Sequence, residues 1–387
     1  MANNSKIPNS KVITTIILIV LAICAILIAV MTISNKDVPA ISENTGNQSE
    51  SNTNNTDNTE KDETTSTPEP QVPVLNKYIN PLTGIEVSEE LSKMRPASFM
   101  INNIRQAIPQ QGISSADVLY ECLAEGGITR LLMLVQDYAS LNVVGSIRSS
   151  RDYYLDLAQN HDALYFHAGG SDKAYAEIAS RNIDNFDGVR MSIPNSFYRD
   201  PWRMSQMAYE HTLVITGQGV LNAINYRGKR TELKEDFKSP FVFESEVTVP
   251  TGDDATCVYL PFSTYQTPYL KYDSTTNTYK RWQYGNPHID KDTNTQLEFT
   301  NILVIFCHHT GPLDNKSRIE VTTTGNGTGY YISNGKYVNI KYTKVNEDTP
   351  IELFNEDGSQ LKINVGKTYI AIFDQSNKQN IDMNYNK

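Results

Sequence analysis

VLYECLAEGGITRLLMLVQ, residues Val118 to Gln136, decides how the rest of the chain is read. Two apolar runs, Val118–Ala124 and Ile128–Gln136, flank Glu125-Gly126-Gly127. A Gly-Gly pair between strand-like runs predicts a hairpin with a two-residue turn. That turn would set Glu125 opposite Ile128 and Leu123 opposite Arg130. Arg130 would then lie diagonal to both Glu121 and Glu125 on one face, within reach of long side chains. Four residues along one strand separate the two glutamates by ~13 Å, too far for the roughly 5–9.5 Å of a glycosidase pair. The cluster therefore reads either as a partly exposed ion network or as an Arg130-centred binding site.

Around this hairpin, strand-like and helix-like patterns alternate. Ala97–Asn102 is a strand candidate, a helix starts near Ser149, and Ala163–His167 is a further strand. A helix follows from Asp172 to Arg181, and His211–Thr216 with Gly217–Asn225 forms one more strand–helix pair. From Phe241 the texture changes to short strands and turn dipeptides. Asn334-Gly335 between Tyr330–Ser333 and Lys336–Lys341 is a strong type I′ hairpin signal. Asp357-Gly358 repeats the device, and Asn301–Phe306 is apolar enough for a central strand. The expected fold class is α+β: a mixed α/β domain over 77–235, then a mainly antiparallel β domain over 236–387.

The N-terminal part sets the expected location. Val12–Ile33 has no charged residue and is almost entirely aliphatic. As a helix it would be ~33 Å long, enough for the ~30 Å hydrocarbon core. Lys6 and Lys11 precede it, favouring a cytoplasmic N-terminus over residues 1–11 and an extracytoplasmic remainder. The run is too long for a signal-peptide core. Cys24 in Leu21-Ala22-Ile23-Cys24 is a poor lipidation box, because Ile23 is bulky where a small residue is needed. Residues 34–76 are Asn, Ser, Thr, Glu and Asp with scarcely an aromatic, and read as a disordered tether. Of 34 basic and 44 acidic residues, 4 and 8 fall within residues 1–75, leaving 30 and 36 and a net charge of −6. That balance excludes a nucleic-acid binder by bulk charge. Cys122, Cys257 and Cys307 are an odd set that implies no disulfide framework.

Two further clusters are candidate sites. In Gly145-Ser146-Ile147-Arg148-Ser149-Ser150-Arg151-Asp152, Ser149 and Asp152 have capping-box spacing. Arg148 would then lie just outside a helix and Arg151 in its first turn, where the dipole disfavours cations. Either an internal carboxylate (Glu121, Glu125 or Asp152) or an anionic ligand at the helix N-terminus should answer them. In His167-Ala168-Gly169-Gly170-Ser171, the glycines permit positive φ or close backbone approach, and Ser171 or Asp172 can cap the next helix. The stretch reads either as a ligand cradle or as a capped turn, with His167 the best acid–base candidate. Asp290-Lys291-Asp292 begins like a calcium loop but lacks its glycine and last glutamate, so it reads as a polar turn. His308 and His309 would point to opposite faces of a strand. There is no HExxH, CxxC or GxSxG, and no metal or cofactor is expected.

Arg95-Pro96, Asn102-Asn103, Tyr120-Glu121, Glu125 to Arg130, Ser146 to Arg151 and His167 to Ser171 together resemble the first half of the YerB-like family of bacterial envelope lipoproteins. The run from Asn301 through the Asn334-Gly335 hairpin to Tyr369-Ile370-Ala371 resembles its C-terminal β part. The resemblance implies an extracytoplasmic, membrane-anchored protein, and it carries no catalytic assignment. The expected function is a binding module engaging an anionic cell-wall polymer or the wall-synthesis proteins. The binding candidates are Asn102, Asn103, Glu125, Arg130, Arg148, Arg151, Gly169, Gly170 and Ser171. The alternative is a hydrolase or transferase on a wall glycan or phosphodiester, using His167 and Glu121.

Overall fold

The structure is a computed structural model that describes residues 78–386. The expected cytoplasmic residues 1–11, the spanning helix 12–33 with Cys24, and the tether 34–76 all lie outside them. Among the described residues no helix is long and apolar enough to cross a membrane.

The first half supplies β1 (Ala97–Asn102), β2 (Val118–Leu123), β3 (Thr129–Val135), β4 (Leu164–His167) and β5 (Asn185–Asp187). Its main helices are α1 (Asp152–Gln159), α2 (Asp172–Ser180) and α3 (Gly217–Arg227). The second half is almost all strand. A small sheet contains β6 (Cys257–Tyr259), β7 (Tyr269–Asp273) and β8 (Thr278–Gln283). The longer strands are β9 (Asn301–Thr310), β10 (Gly325–Ser333), β11 (Lys336–Lys344) and β12 (Thr368–Asp374). The α/β-then-antiparallel texture read from the sequence is present.

The two halves share one 12-stranded sheet, whose central path runs β11-β10-β9-β12-β2-β3-β1-β4-β5. The last strand makes the join: β12 lies parallel to both β9 and β2, with Ile370 opposite Leu303 on one side and Tyr120 on the other. β1 and β3 are buried at every position, as strands covered on both faces must be. One face packs Phe99, Leu119, Met133 and Tyr369 against α3 and the small sheet. The other packs Met100, Tyr120, Leu132 and Ile370 against Tyr154 and Leu155 of α1.

Two local expectations need correction. The β2–β3 turn has three residues, not two: Ala124 N–H donates to Ile128 O at 2.7 Å, Leu123 faces Thr129, and Cys122 faces Arg130. Gly126 (φ 64°) and Gly127 (φ 75°) both take left-handed conformations, which permits the extra residue. A one-residue change of register moves side chains to the opposite face. Arg130 and Glu121 consequently lie on opposite faces of the sheet. The helix also begins at Asp152, with Arg151 at its N-cap and no side-chain cap, so the Ser149–Asp152 capping box does not form. The reason is that Ser150 is tied to the glycine loop, its N–H donating to Gly169 O at 2.9 Å.

Candidate functional site

Glu121 is completely buried where the two halves meet. Its Oε1 accepts from Asn103 Nδ2 (3.1 Å) and Thr129 Oγ1 (2.6 Å). Its Oε2 accepts from Arg281 Nη2 (2.6 Å) and Tyr369 OH (2.6 Å). Asn103 extends the network, its carbonyl accepting from Gln266, Gln283 and Tyr284. Arg281 also reaches His288, whose ring burial and the adjacent guanidinium hold well below the usual imidazole range. No polar atom of Glu121 is left for a substrate proton.

Arg130, Arg151 and Glu125 meet on the opposite face. Glu125 Oε1 accepts from Arg130, and its Oε2 lies 2.7 Å from Arg151 Nη2. Arg130 also donates to Ser149 O at 2.7 Å, while its Nε has no partner among the described residues. Burial lowers the Arg130 guanidinium to about 10, with repulsion from Arg151 adding to the effect and Glu125 opposing it. Burial also disfavours the Glu125 carboxylate, but Arg130 and Arg151 outweigh it and hold the group below its ordinary value. Glu125 is thus the internal carboxylate that answers both arginines. Beside the triad, a cleft of about 280 Å³ is lined by Arg151, Asp152, Lys173, Asp314, Arg318 and Glu320. Its cations are paired too: Lys173 with Asp152 at 3.0 Å and Arg318 with Asp314 at 2.6 Å.

His167 is buried at the end of β4. Its Nδ1 lies 2.9 Å from Gly169 O and its Nε2 3.2 Å from Asn185 Oδ1. The cradle-like backbone is occupied from within. Asp187 Oδ1 accepts from Gly169 N (2.9 Å) and Val189 N (2.9 Å), and Oδ2 from Tyr175 OH (2.6 Å). Ser171 caps α2, accepting from Ala174 N at 3.1 Å, and Gly170 bridges to Ser150. A carboxylate of the protein stands where an external anion would have been received.

The remaining candidates are dispersed. Arg148 points away from the triad to Glu210 at 3.2 Å. Asn102 contacts His211 at 3.0 Å. The structure thus joins Glu121 to Asn103 on one face, and Glu125 to Arg130 and Arg151 on the other. There Ser171 shares the cleft with Arg151, and His167 is linked to the Ser149-Ser150 backbone through Gly169 O. Sequence reasoning missed Arg281, Tyr369 and Asp187. Alternation in Thr278–Gln283 offered one signal, since it puts Arg281 on the same inward face as Tyr279. The buried Asp290 was likewise more than a polar turn: its carboxylate accepts from Gly112 N (2.9 Å) and Ser114 N (2.7 Å), tying the halves together.

Residues 82–230 match the domain described as "Protein of unknown function (DUF3048) N-terminal domain", and residues 258–370 match the corresponding C-terminal domain. The chain is 27% identical over 296 residues to "Putative lipoprotein YerB" of Bacillus subtilis (strain 168), covering 76% of this chain and 85% of that protein. It is also similar to the crystal structure of YerB protein from Bacillus subtilis, with a TM-score of 0.67 and 25% identity. That likeness covers 76% of this chain and 96% of the solved one. Both halves match in order and the fold agrees, so the chain belongs to the two-part YerB-like family of DUF3048 proteins.

Proposed function

We propose that this chain is a membrane-anchored extracytoplasmic module of the bacterial envelope that binds a wall polymer without transforming it. The location rests on the apolar stretch 12–33 and on the lipoprotein name of its relative. The observation that carries binding over catalysis is the state of the two acid–base candidates. Glu121 accepts four internal hydrogen bonds, and both ring nitrogens of His167 face internal acceptors. A general acid or base must come within hydrogen-bond reach of the reacting atom, and neither group is accessible to one. Co-sedimentation of the detergent-solubilised full-length chain with purified wall sacculi tests the proposal. Saturable binding is the expected result, and protein left wholly in the supernatant at every sacculus concentration refutes it.

A further inference from the structure

The outward face of the small sheet carries a row of aromatic rings. Tyr259 pairs with Tyr269, Tyr269 with Trp282, and Trp282 with Pro287 across successive strands. Alternation sends Leu270 and Arg281 into the core, leaving Tyr269, Lys271, Lys280 and Trp282 on the other side. Residues 382–385 lie along β6, with Tyr385 N–H donating to Cys257 O at 3.0 Å. They bring Tyr385 onto Tyr259, ring centroids 4.4 Å apart. Tyr269 and Trp282 stand with planes 8° apart and centroids 5.4 Å apart. Both rings are half-buried.

A cleft of about 640 Å³ opens beside these rings, lined by Tyr269, Trp282, Tyr385, Lys271, Ser274 and Asn386 among others. No Leu, Ile, Val or Met lines it. An aliphatic protein segment would leave the polar rim unanswered. A pyranose satisfies both parts, because its C–H face is flat and apolar while its hydroxyl edge donates and accepts. Charge narrows the class further. Lys280 is paired with Asp273 at 2.7 Å, whereas the exposed Lys271 makes no ion pair among the described residues. We propose that this cleft binds a pyranose glycan bearing a carboxylate, with Tyr269 and Trp282 against the sugar face and Lys271 on the carboxylate. The proposal deepens, and rests on, the wall-binding function proposed above.

The chain has two tryptophans, so Trp202→Phe leaves Trp282 as sole fluorescent reporter. In that background, full-length protein is titrated with peptide-free peptidoglycan strands, whose lactyl groups carry carboxylates, and with neutral chitotetraose. Both should perturb Trp282 emission, the strands at roughly tenfold lower concentration, as a charge-assisted contact implies. Tyr269→Ala should weaken both sugars roughly tenfold. Lys271→Glu, at an exposed position that the fold does not need, should weaken the strands and leave chitotetraose unchanged. An unperturbed reporter with either sugar, or binding insensitive to both substitutions, overturns the site. Sacculi that still bind in that case leave the wall-binding function standing. Failure of sacculus binding alone refutes that function and leaves the titration to decide the cleft.

Discussion

Arg281 Nη2 of β8 and Glu121 Oε2 of β2 meet at 2.6 Å with neither side chain exposed to solvent. One partner comes from each half of the chain, and the pair sits beneath the small sheet whose outer face carries the aromatic row. Tyr369 OH closes the arrangement from β12, the strand that joins the halves. The contact therefore fixes the orientation of the small sheet on the large one.

Breaking this pair should be costly, because the surviving charge would remain buried without a partner. Arg281→Ala is expected to lower stability by about 3–5 kcal/mol, and Glu121→Leu with Arg281→Met by much less. Urea unfolding of each variant measures both. A loss under about 1 kcal/mol for Arg281→Ala would show that the two halves are not held together here.

The Arg130–Glu125–Arg151 triad predicts unequal arginines. Arg130 is buried and also holds Ser149 O, so Arg130→Ala should cost about 3–5 kcal/mol. Arg151 is the more exposed partner, and Arg151→Ala should cost about 1 kcal/mol. The carboxyl of Glu125 is held below its ordinary value of 4.5. Its stabilising contribution is therefore complete above that value and is lost as pH falls through the lower folded-state value. Wild type should lose more stability than Glu125→Gln on acidification from about pH 5 to about pH 3. Parallel acid limbs in thermal melts would contradict the pairing.

Lys344 gives the opposite sign. Burial lowers its ammonium from 10.5 to about 8, while Asp156 opposes the shift. Its Nζ donates to Asn160 Oδ1 at 2.7 Å. The unfolded chain holds the proton more tightly, so the stability of wild type relative to Lys344→Met should rise between about pH 8 and about pH 9.5. A relative stability that stays flat over that interval would mean the ammonium is better solvated than its burial indicates.

Much of the fold was legible because it is written locally. Asn334-Gly335 forms its hairpin, Ser171 caps its helix, and the apolar Asn301–Phe306 run is central in the sheet. Failures came where a distant partner decided the local geometry. The three-residue form of Glu125-Gly126-Gly127 is pinned by Ser263, which donates to Gly127 O, and by Ser317 O, which accepts from Gly126 N. The helix start moved from Ser149 to Asp152 because Gly169 takes the Ser150 N–H. Arg281 lies 160 residues from Glu121, and no pattern within either strand names the other. The aromatic row needed the register of three strands and the path of residues 382–385, so composition alone could not assemble it.

Cysteine reactivity offers an independent check on packing. Cys122 and Cys307 lie on β2 and β9 with β12 between them and a two-residue offset along it, about 12 Å apart, too far for a disulfide. Burial pushes the Cys122 thiol well above its usual value and Cys307 to about 11. Neither should react with iodoacetamide in the folded protein, and both should react in denaturant. Rapid labelling of either in native buffer, read by peptide mass spectrometry, would contradict the packing of the join.

The central claim, binding without turnover, is tested most directly by assaying the supernatant after prolonged incubation of the protein with wall sacculi. Wild type, Glu121→Gln and His167→Gln should all release no new reducing ends or phosphate above the protein-free control, while wild type remains bound to the sacculi. Release by wild type that either substitution abolishes would make the protein an enzyme and contradict the account.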